Sequence, residues 1–464
     1  MMRRTSRARL TTILLSAILA VGTTRAVAQP QFSASPLSLQ QAIQHALDNY
    51  PAIAASIARV AAQEAAVDLA RTSYLPRLDS TIQINRATRN NVAGLLLPSA
   101  LIPSISGPAS ERTSSSGIWS SAAGLLLSWE AFDFGLRGAS VSLARSLVTR
   151  ANADMALTRL DVGVNTADAF LHLAAAQETV RAARSNVERQ EVFAAAVAVL
   201  VKNELRAGAD DSRAQAELAL ARIQLIQAEQ AARISRVNLA QWLGVRPADV
   251  EIAADPLLHT LPPPPGPVDA AVHPLAATQM ATIESVRAVQ DVLDRSYFPR
   301  INVQTAYSLR GAGALPNGTL LGGAQGLEFD TPNWAAGIAA TVPLLEWFTV
   351  RERKRIESQN ERAELATYGR IVRELSSQSE QALAELEGAR RVAENTPIQL
   401  ASARVLEQQA RARYDAGLTT IIDVADAQRL LLQAEVGDAI ARLDVWRARL
   451  AEAAARGDLS DLLR

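Results

Sequence analysis

The sequence predicts a mainly α-helical chain with a β-barrel part, internally duplicated, in which four transmembrane β-strands join long α-helices. Three observations carry this prediction. Pro51 and Pro76 lie 25 residues apart, as do Pro274 and Pro299, and both second prolines sit in Ser-Tyr-x-Pro-Arg (residues 73–77 and 296–300). Each half then has the same order of elements, which is the mark of a duplication. Residues 137–202 hold no proline and 351–414 hold only Pro397, so each stretch can run as a helix roughly 100 Å long. Four further segments alternate apolar and polar residues with period two, the signature of half-buried strands.

Composition narrows the classes of function. The 464 residues include 47 basic and 47 acidic side chains and no cysteine. A disulfide framework, a thiolate metal site and a cysteine nucleophile are therefore excluded, and a neutral chain lacks the basic footprint of a nucleic-acid binder. Residues 1–28 read as a signal peptide, with Arg3, Arg4, Arg7 and Arg9, an apolar stretch over 13–21, and Ala26-Val27-Ala28 before Gln29. An uncleaved anchor is the alternative. Removing the segment, with its five arginines, leaves 42 basic against 47 acidic groups. No later stretch has 18 consecutive apolar residues, so the exported chain is either soluble or a β-barrel.

The elements follow in order. The first repeat, 29–243, is expected to hold a helix over 39–73, strands over 77–87 and 118–130, the long helix 137–202, a turn at Ala207-Gly208 and a return helix over 212–243. Residues 244–273, with Pro262–Pro265 and Pro267, form an extended linker, because proline lacks the N–H and fixes φ. The second repeat, 274–464, holds a helix over 274–296, strands over 300–310 and 333–344, the long helix 351–414, a turn at Ala416-Gly417 and a helix over 421–456. A kink is expected at Pro397. The basic cluster 351–355 is expected to face water, and glycine at each turn to supply the left-handed residue that ends a helix. Loops over 90–116 and 311–332 fall on one side of the strands; all helices fall on the other.

The helices alone are compatible with a soluble coiled-coil rod, a periplasmic scaffold or adaptor without a pore. The strands argue otherwise. Trp119 and Trp129 share one face of their strand, ten residues apart, which for a tilted strand is roughly 23 Å, the height of an outer-membrane apolar band. Trp334 opens the matching strand of the second repeat. These three are the expected membrane-interface aromatics. Four strands cannot close a barrel and open edges are not tolerated in hydrocarbon, so several chains must share one barrel.

The chain resembles the TolC-like outer-membrane efflux protein family (outer-membrane factors). The resemblance runs from Leu37-Ser38-Leu39-Gln40-Gln41-Ala42-Ile43 to the C-terminus, and its most specific part is Tyr414-Asp415-Ala416-Gly417-Leu418-Thr419-Thr420-Ile421-Ile422-Asp423-Val424-Ala425-Asp426-Ala427-Gln428. The strand-to-helix passages Trp129–Gly135 and Leu344–Trp347 support it. The resemblance implies a homotrimer sharing a twelve-stranded barrel, continued by an α-helical tunnel across the periplasm of a Gram-negative bacterium. It implies an exit channel of a tripartite efflux pump or a type I secretion system, with a periplasmic adaptor and an inner-membrane pump as partners. Asp423 and Asp426 match acidic residues lining the periplasmic entrance. At i and i+3 they share a helical face, and rings of three carboxylates raise one another's pKa. An N-terminal carboxylate pair serving the helix dipole is the plainer alternative. Tyr414 matches an aromatic that helps hold the entrance closed, with packing between helices as its alternative. The family's basic partner at the Thr419 position is absent. Ala207, Gly208, Ala209, Ala416, Gly417 and Leu418 match the adaptor-contact tips. The first tip departs from the pattern and reads as shortened by about two residues, so an acidic latch is not assignable in that half and Asp211 is no more than a candidate.

No enzyme motif competes: there is no Gly-x-Ser-x-Gly, Walker loop, dinucleotide fingerprint or paired-histidine spacing. His45, His172, His259 and His273 are scattered. The expectation is a passive channel, with no catalytic residue, cofactor or metal, embedded in outer-membrane lipid.

Overall fold

The computed structural model describes residues 36–88, 115–260, 262, 270–313, 315, 319 and 321–462. The expected signal peptide, most of the 90–116 loop and linker residues Pro263–Pro265 and Pro267 lie outside the described residues.

Helix α1 (Leu39–Asn49) starts at a capping box, in which the Ser38 hydroxyl accepts from the Gln41 N–H and the Gln41 side chain accepts from the Ser38 N–H. Helix α2 is Pro51–Thr72. The single helix predicted over 39–73 is thus two, because Tyr50 precedes a proline and is pushed to extended backbone, φ −68° and ψ 130°. Strands β1 (Arg77–Thr88) and β2 (Gly117–Phe132) lead into α3 (Leu136–Lys202), which returns as α4 (Gly208–Leu243). The linker is not wholly extended. It holds a short helix, α5 (Asp255–His259), whose proline lies in the first turn, where no intrahelical N–H is needed. The second repeat has α6 (Pro274–Ser296), β3 (Arg300–Ala312), β4 (Thr331–Thr341), α7 (Glu346–Asp415) and α8 (Ile421–Arg456). Strand β4 stops three residues before the predicted end because Pro343 cannot donate to the ladder. Helix α7 begins earlier than predicted and runs through Pro397 as one 70-residue helix.

The four strands form one antiparallel sheet in the order β1-β2-β3-β4. Its register aligns the apolar alternation of all strands on one face: Leu78 meets Leu127, Leu125 meets Tyr307, Trp129 meets Val303, and Val303 meets Ile338. The other face carries Asp79, Gln83, Ser128, Gln304, Ser308 and Asn333. Strands β1 and β4 are open edges in one copy of the chain, and every residue of β4 is exposed, Trp334 at 80% and Ile338 at 77%. Among the described residues no helix is long and apolar enough to cross a membrane.

Among the described residues two large apolar clusters hold the helices, and smaller ones join α7 to α6 and α8. Near the middle of the chain's long axis, Ile43 of α1, Phe170 of α3, Leu239 of α4, Leu257 of α5 and Leu443 of α8 pack with Leu459 near the C-terminus. The Trp446 indole ties α5 in place by donating to the Leu257 carbonyl at 3.0 Å. The second cluster lies where the long helices turn: Phe193 and Val197, Leu218, Tyr414, Ile421 and Val424. It positions the site described next.

Candidate functional site

The two hairpin tips have the same construction. Helix α7 ends on Gly417 in the left-handed region (φ 77°), with Leu418 N–H donating to the Arg413 carbonyl at 2.8 Å and Gly417 N–H to the Tyr414 carbonyl at 2.9 Å. Helix α3 ends on Glu204 in the left-handed region (φ 60°), with Leu205 N–H donating to Leu200 at 2.9 Å and Glu204 N–H to Val201 at 3.0 Å. Both are Schellman closures, and five residues separate the helices in each tip, 203–207 and 416–420. Two expectations are corrected. The first tip is not shortened, and Gly208 is not its left-handed residue but the first residue of α4. The repeated Ala-Gly dipeptide had suggested a register four residues out. In the true register Glu204 answers Gly417, Arg206 answers Thr419, and Asp210 answers Asp423, so Asp210 rather than Asp211 is the acidic counterpart in the first half.

Tyr414 is 1% exposed and bridges the two tips. Its ring meets Phe193 edge-on at 5.5 Å, and its hydroxyl donates to Asp210 Oδ2 at 3.1 Å. The Arg206 guanidinium lies 4.3 Å over the same ring and donates to the Tyr414 carbonyl. Burial, then the charge and hydrogen bond of Asp210, push the phenol up to about 12, so at neutral pH it is a neutral donor. Packing between helices and hydrogen bonding across the tips, stated as alternatives from sequence, are both present. Arg206 and Asp210 were missed. Their signal was the length match of the two tips, hidden by the misleading dipeptide.

Asp423 is the third residue of α8 and completes a capping box with Thr420. It accepts from the Thr420 N–H at 3.0 Å, the Thr420 hydroxyl at 2.8 Å and the Thr419 hydroxyl. The Thr419 hydroxyl and the Thr420 groups hold its carboxyl below the usual range. Within one protomer these cap hydrogen bonds favour the charged form. Asp426 lies 3.4 Å from Arg429. Residues 422, 423, 426 and 429 are exposed while 421, 424, 425 and 428 are buried, so the two aspartates do share the open face of α8. Ala207, Gly208, Ala209, Ala416, Gly417 and Leu418 are all exposed. Leu205 and Leu418, equivalent in the two tips, stand out at 68% and 70% exposure.

At the other end, Trp119 and Trp129 lie on one face of β2 and Trp334 joins that face through Tyr307 and Leu125. Trp119 is half-buried beneath Arg86, and the Trp129 indole donates to the Tyr74 carbonyl at 3.0 Å. His45 and His273 are held by backbone carbonyls, those of Leu243 and Ala454. His273 caps α6 through Nδ1, which accepts from the Leu275 N–H at 3.0 Å, while Nε2 meets the Ala454 carbonyl at 3.0 Å. Among the described residues no group of histidines and carboxylates could hold a metal ion.

Comparison with known proteins agrees with this architecture. The family model for outer membrane efflux proteins matches residues 42–245 and 273–458. Protein CyaE of Bordetella pertussis is 25% identical over 447 residues, covering 91% of this chain and 84% of that one. The pyoverdine export outer membrane protein OpmQ of Pseudomonas putida is 27% identical over 431 residues, covering 90% and 85%. The Campylobacter jejuni CmeC outer membrane channel superposes with a TM-score of 0.72 at 16% identity, over 90% of this chain and 85% of that chain.

Proposed function

The chain belongs to the outer membrane efflux protein family, and from that premise we propose that three copies form one continuous conduit from the periplasm to the outside of a Gram-negative cell. As a member of that family it is an outer-membrane channel of the kind that serves efflux pumps and secretion systems, and not an enzyme. The observation that carries the trimer is the open sheet. Its apolar face is continuous across four strands, its two edges are unpaired, and such edges in hydrocarbon require pairing with further copies. Three copies give the twelve strands expected from the resemblance. The helices α3 and α7, of 67 and 70 residues, then reach roughly 100 Å into the periplasm.

In this proposal the tips form the periplasmic entrance. Asp423 and Asp426 line it and favour cations, while the Tyr414, Asp210 and Arg206 contacts hold it narrow. The exposed tip residues, Leu205 and Leu418 foremost, meet a periplasmic adaptor that couples the channel to an inner-membrane pump. The channel itself passes cargo passively, and cargo selection lies with the pump. The proposal is tested by purifying the protein in mild detergent and recording single channels in planar bilayers. A trimer with a small, cation-selective conductance is expected. A folded monomer that never conducts would return the chain to the pore-free scaffold.

A further inference from the structure

Below β4, one copy of the chain exposes an apolar and basic surface. Leu344, Leu345, Trp347 and Phe348 are 81%, 80%, 49% and 62% exposed. After Thr349 and Val350 come Arg351, Glu352, Arg353, Lys354 and Arg355, in the second and third turns of α7. Lys354 is held by Asp294 of α6, and Arg355 lies 3.8 Å from Glu352. Arg351 stands over the Trp347 ring at 5.6 Å, and neither Arg351 nor Arg353 has a carboxylate partner among the described residues. Both are exposed.

The cluster lies past the first turn of α7, beyond the reach of the helix dipole, so its charge does not serve to cap the helix. The matching turns of α3 carry only Arg137 and Arg145, and Arg137 is committed to Asp133 at 3.0 Å. The position along the chain is telling. Ile338 stands in ladder register with Val303 and Trp129, and the strand ends three residues later. Aromatic contacts Phe132–Phe134 at 4.7 Å, Phe134–Phe298 at 5.8 Å and Tyr297–Phe298 at 4.9 Å gather at the same strand ends, where membrane barrels carry an aromatic girdle. Arg351 is about 8 Å along α7 from Glu346, within a Debye length of that interface.

We propose that Trp347, Phe348, Arg351 and Arg353 form a binding surface for the headgroup of an anionic phospholipid in the periplasmic leaflet, the rings entering the acyl boundary and the guanidinium groups meeting the phosphate. It rests on the membrane placement of the sheet, and extends it with a lipid preference. The test is native mass spectrometry of the full-length trimer titrated with phosphatidylglycerol or phosphatidylcholine, alongside bilayer conductance. Phosphatidylglycerol adducts are expected to persist where phosphatidylcholine adducts do not. Arg351→Gln/Arg353→Gln should weaken them roughly fivefold per arginine lost, with conductance unchanged, and Arg351→Lys/Arg353→Lys should retain most of the binding. Should the double variant fail to assemble, Arg353→Gln alone decides in the same way. Equal binding of the two lipids, or undiminished phosphatidylglycerol binding by the Gln variants, overturns the inference while normal conductance leaves the channel standing. A wild type that neither inserts nor conducts overturns the membrane placement itself.

Discussion

Tyr414→Phe removes one hydroxyl and leaves the ring against Phe193 and under Arg206. What is lost is the 3.1 Å hydrogen bond to Asp210, which joins the tip of the second repeat to that of the first. A hydrogen bond to a charged group is worth about 1.5–3 kcal/mol. If it is made only when the tips are closed, its removal shifts the closed–open balance of one protomer by roughly tenfold to a hundredfold. Single-channel recording reads this as a larger or more frequent open level in Tyr414→Phe than in wild type. A cycle with Asp210→Ala isolates the pair, because Asp210 also serves the N-terminus of α4. The double variant should open little more than either single one. Conductance of Tyr414→Phe equal to wild type, or effects of the two substitutions that simply add, would refute the clasp. The pH dependence has a definite sign. The folded phenol is raised to about 12 from an ordinary 10, so its contribution is whole below pH 10 and is lost as pH rises from there through about 12.

Asp423→Ala/Asp426→Ala should move the reversal potential in a salt gradient toward zero, since both carboxylates lie on the open face of α8; an unchanged potential would place the constriction elsewhere. Gly457→Ala should lower the temperature at which the trimer dissociates on a semi-native gel, and more than Gly417→Ala does. Both glycines are left-handed, at φ 80° and 77°, which costs an alanine about 1–2 kcal/mol, but only at Gly457 would the new Cβ stand 2.6 Å from Pro274 and 2.8 Å from the His273 ring. His273 is held below its ordinary value, first by burial and against the opposing pull of the Ala454 carbonyl and Asp161. The stability it contributes is whole above pH 6.5 and lost as pH falls through the lowered value. Acid unfolding should therefore be shallower in His273→Asn, and an identical pH slope would exclude this group.

The architecture was legible because long-period signals carry it. Two 25-residue proline spacings and four alternating strands depend on many residues at once, and the register aligned their apolar faces as the alternation required. The tips were less legible because they depend on one residue each. Gly417 announces a left-handed closure, but in the first repeat that conformation is taken by Glu204, which has no propensity for it, while Gly208 is free to be helical. The shared hydrophobic residue after each closure, Leu205 and Leu418, was the better marker. The split of 39–73 at Tyr50 was readable from Pro51. The early end of β4 was readable from Pro343. In both, periodicity had been allowed to outweigh a proline, whose missing N–H and fixed φ act at a single position regardless of pattern.

The corrected register also changes what closing the entrance requires. Tyr414 belongs to the second repeat, and Asp210 and Arg206 to the first, so each clasp joins two hairpins of one protomer. In a trimer of the proposed kind there are three such clasps. Sites that share no partner act additively, so three clasps release in steps, one copy at a time. Trimers assembled from mixed wild-type and Tyr414→Phe chains test this, once separated by the number of tagged variant copies. Zero to three variant copies should give a graded series of conductances. If a single variant copy brought the full open level, the clasps would be coupled through contacts between protomers, and the intraprotomer account of closure would fail.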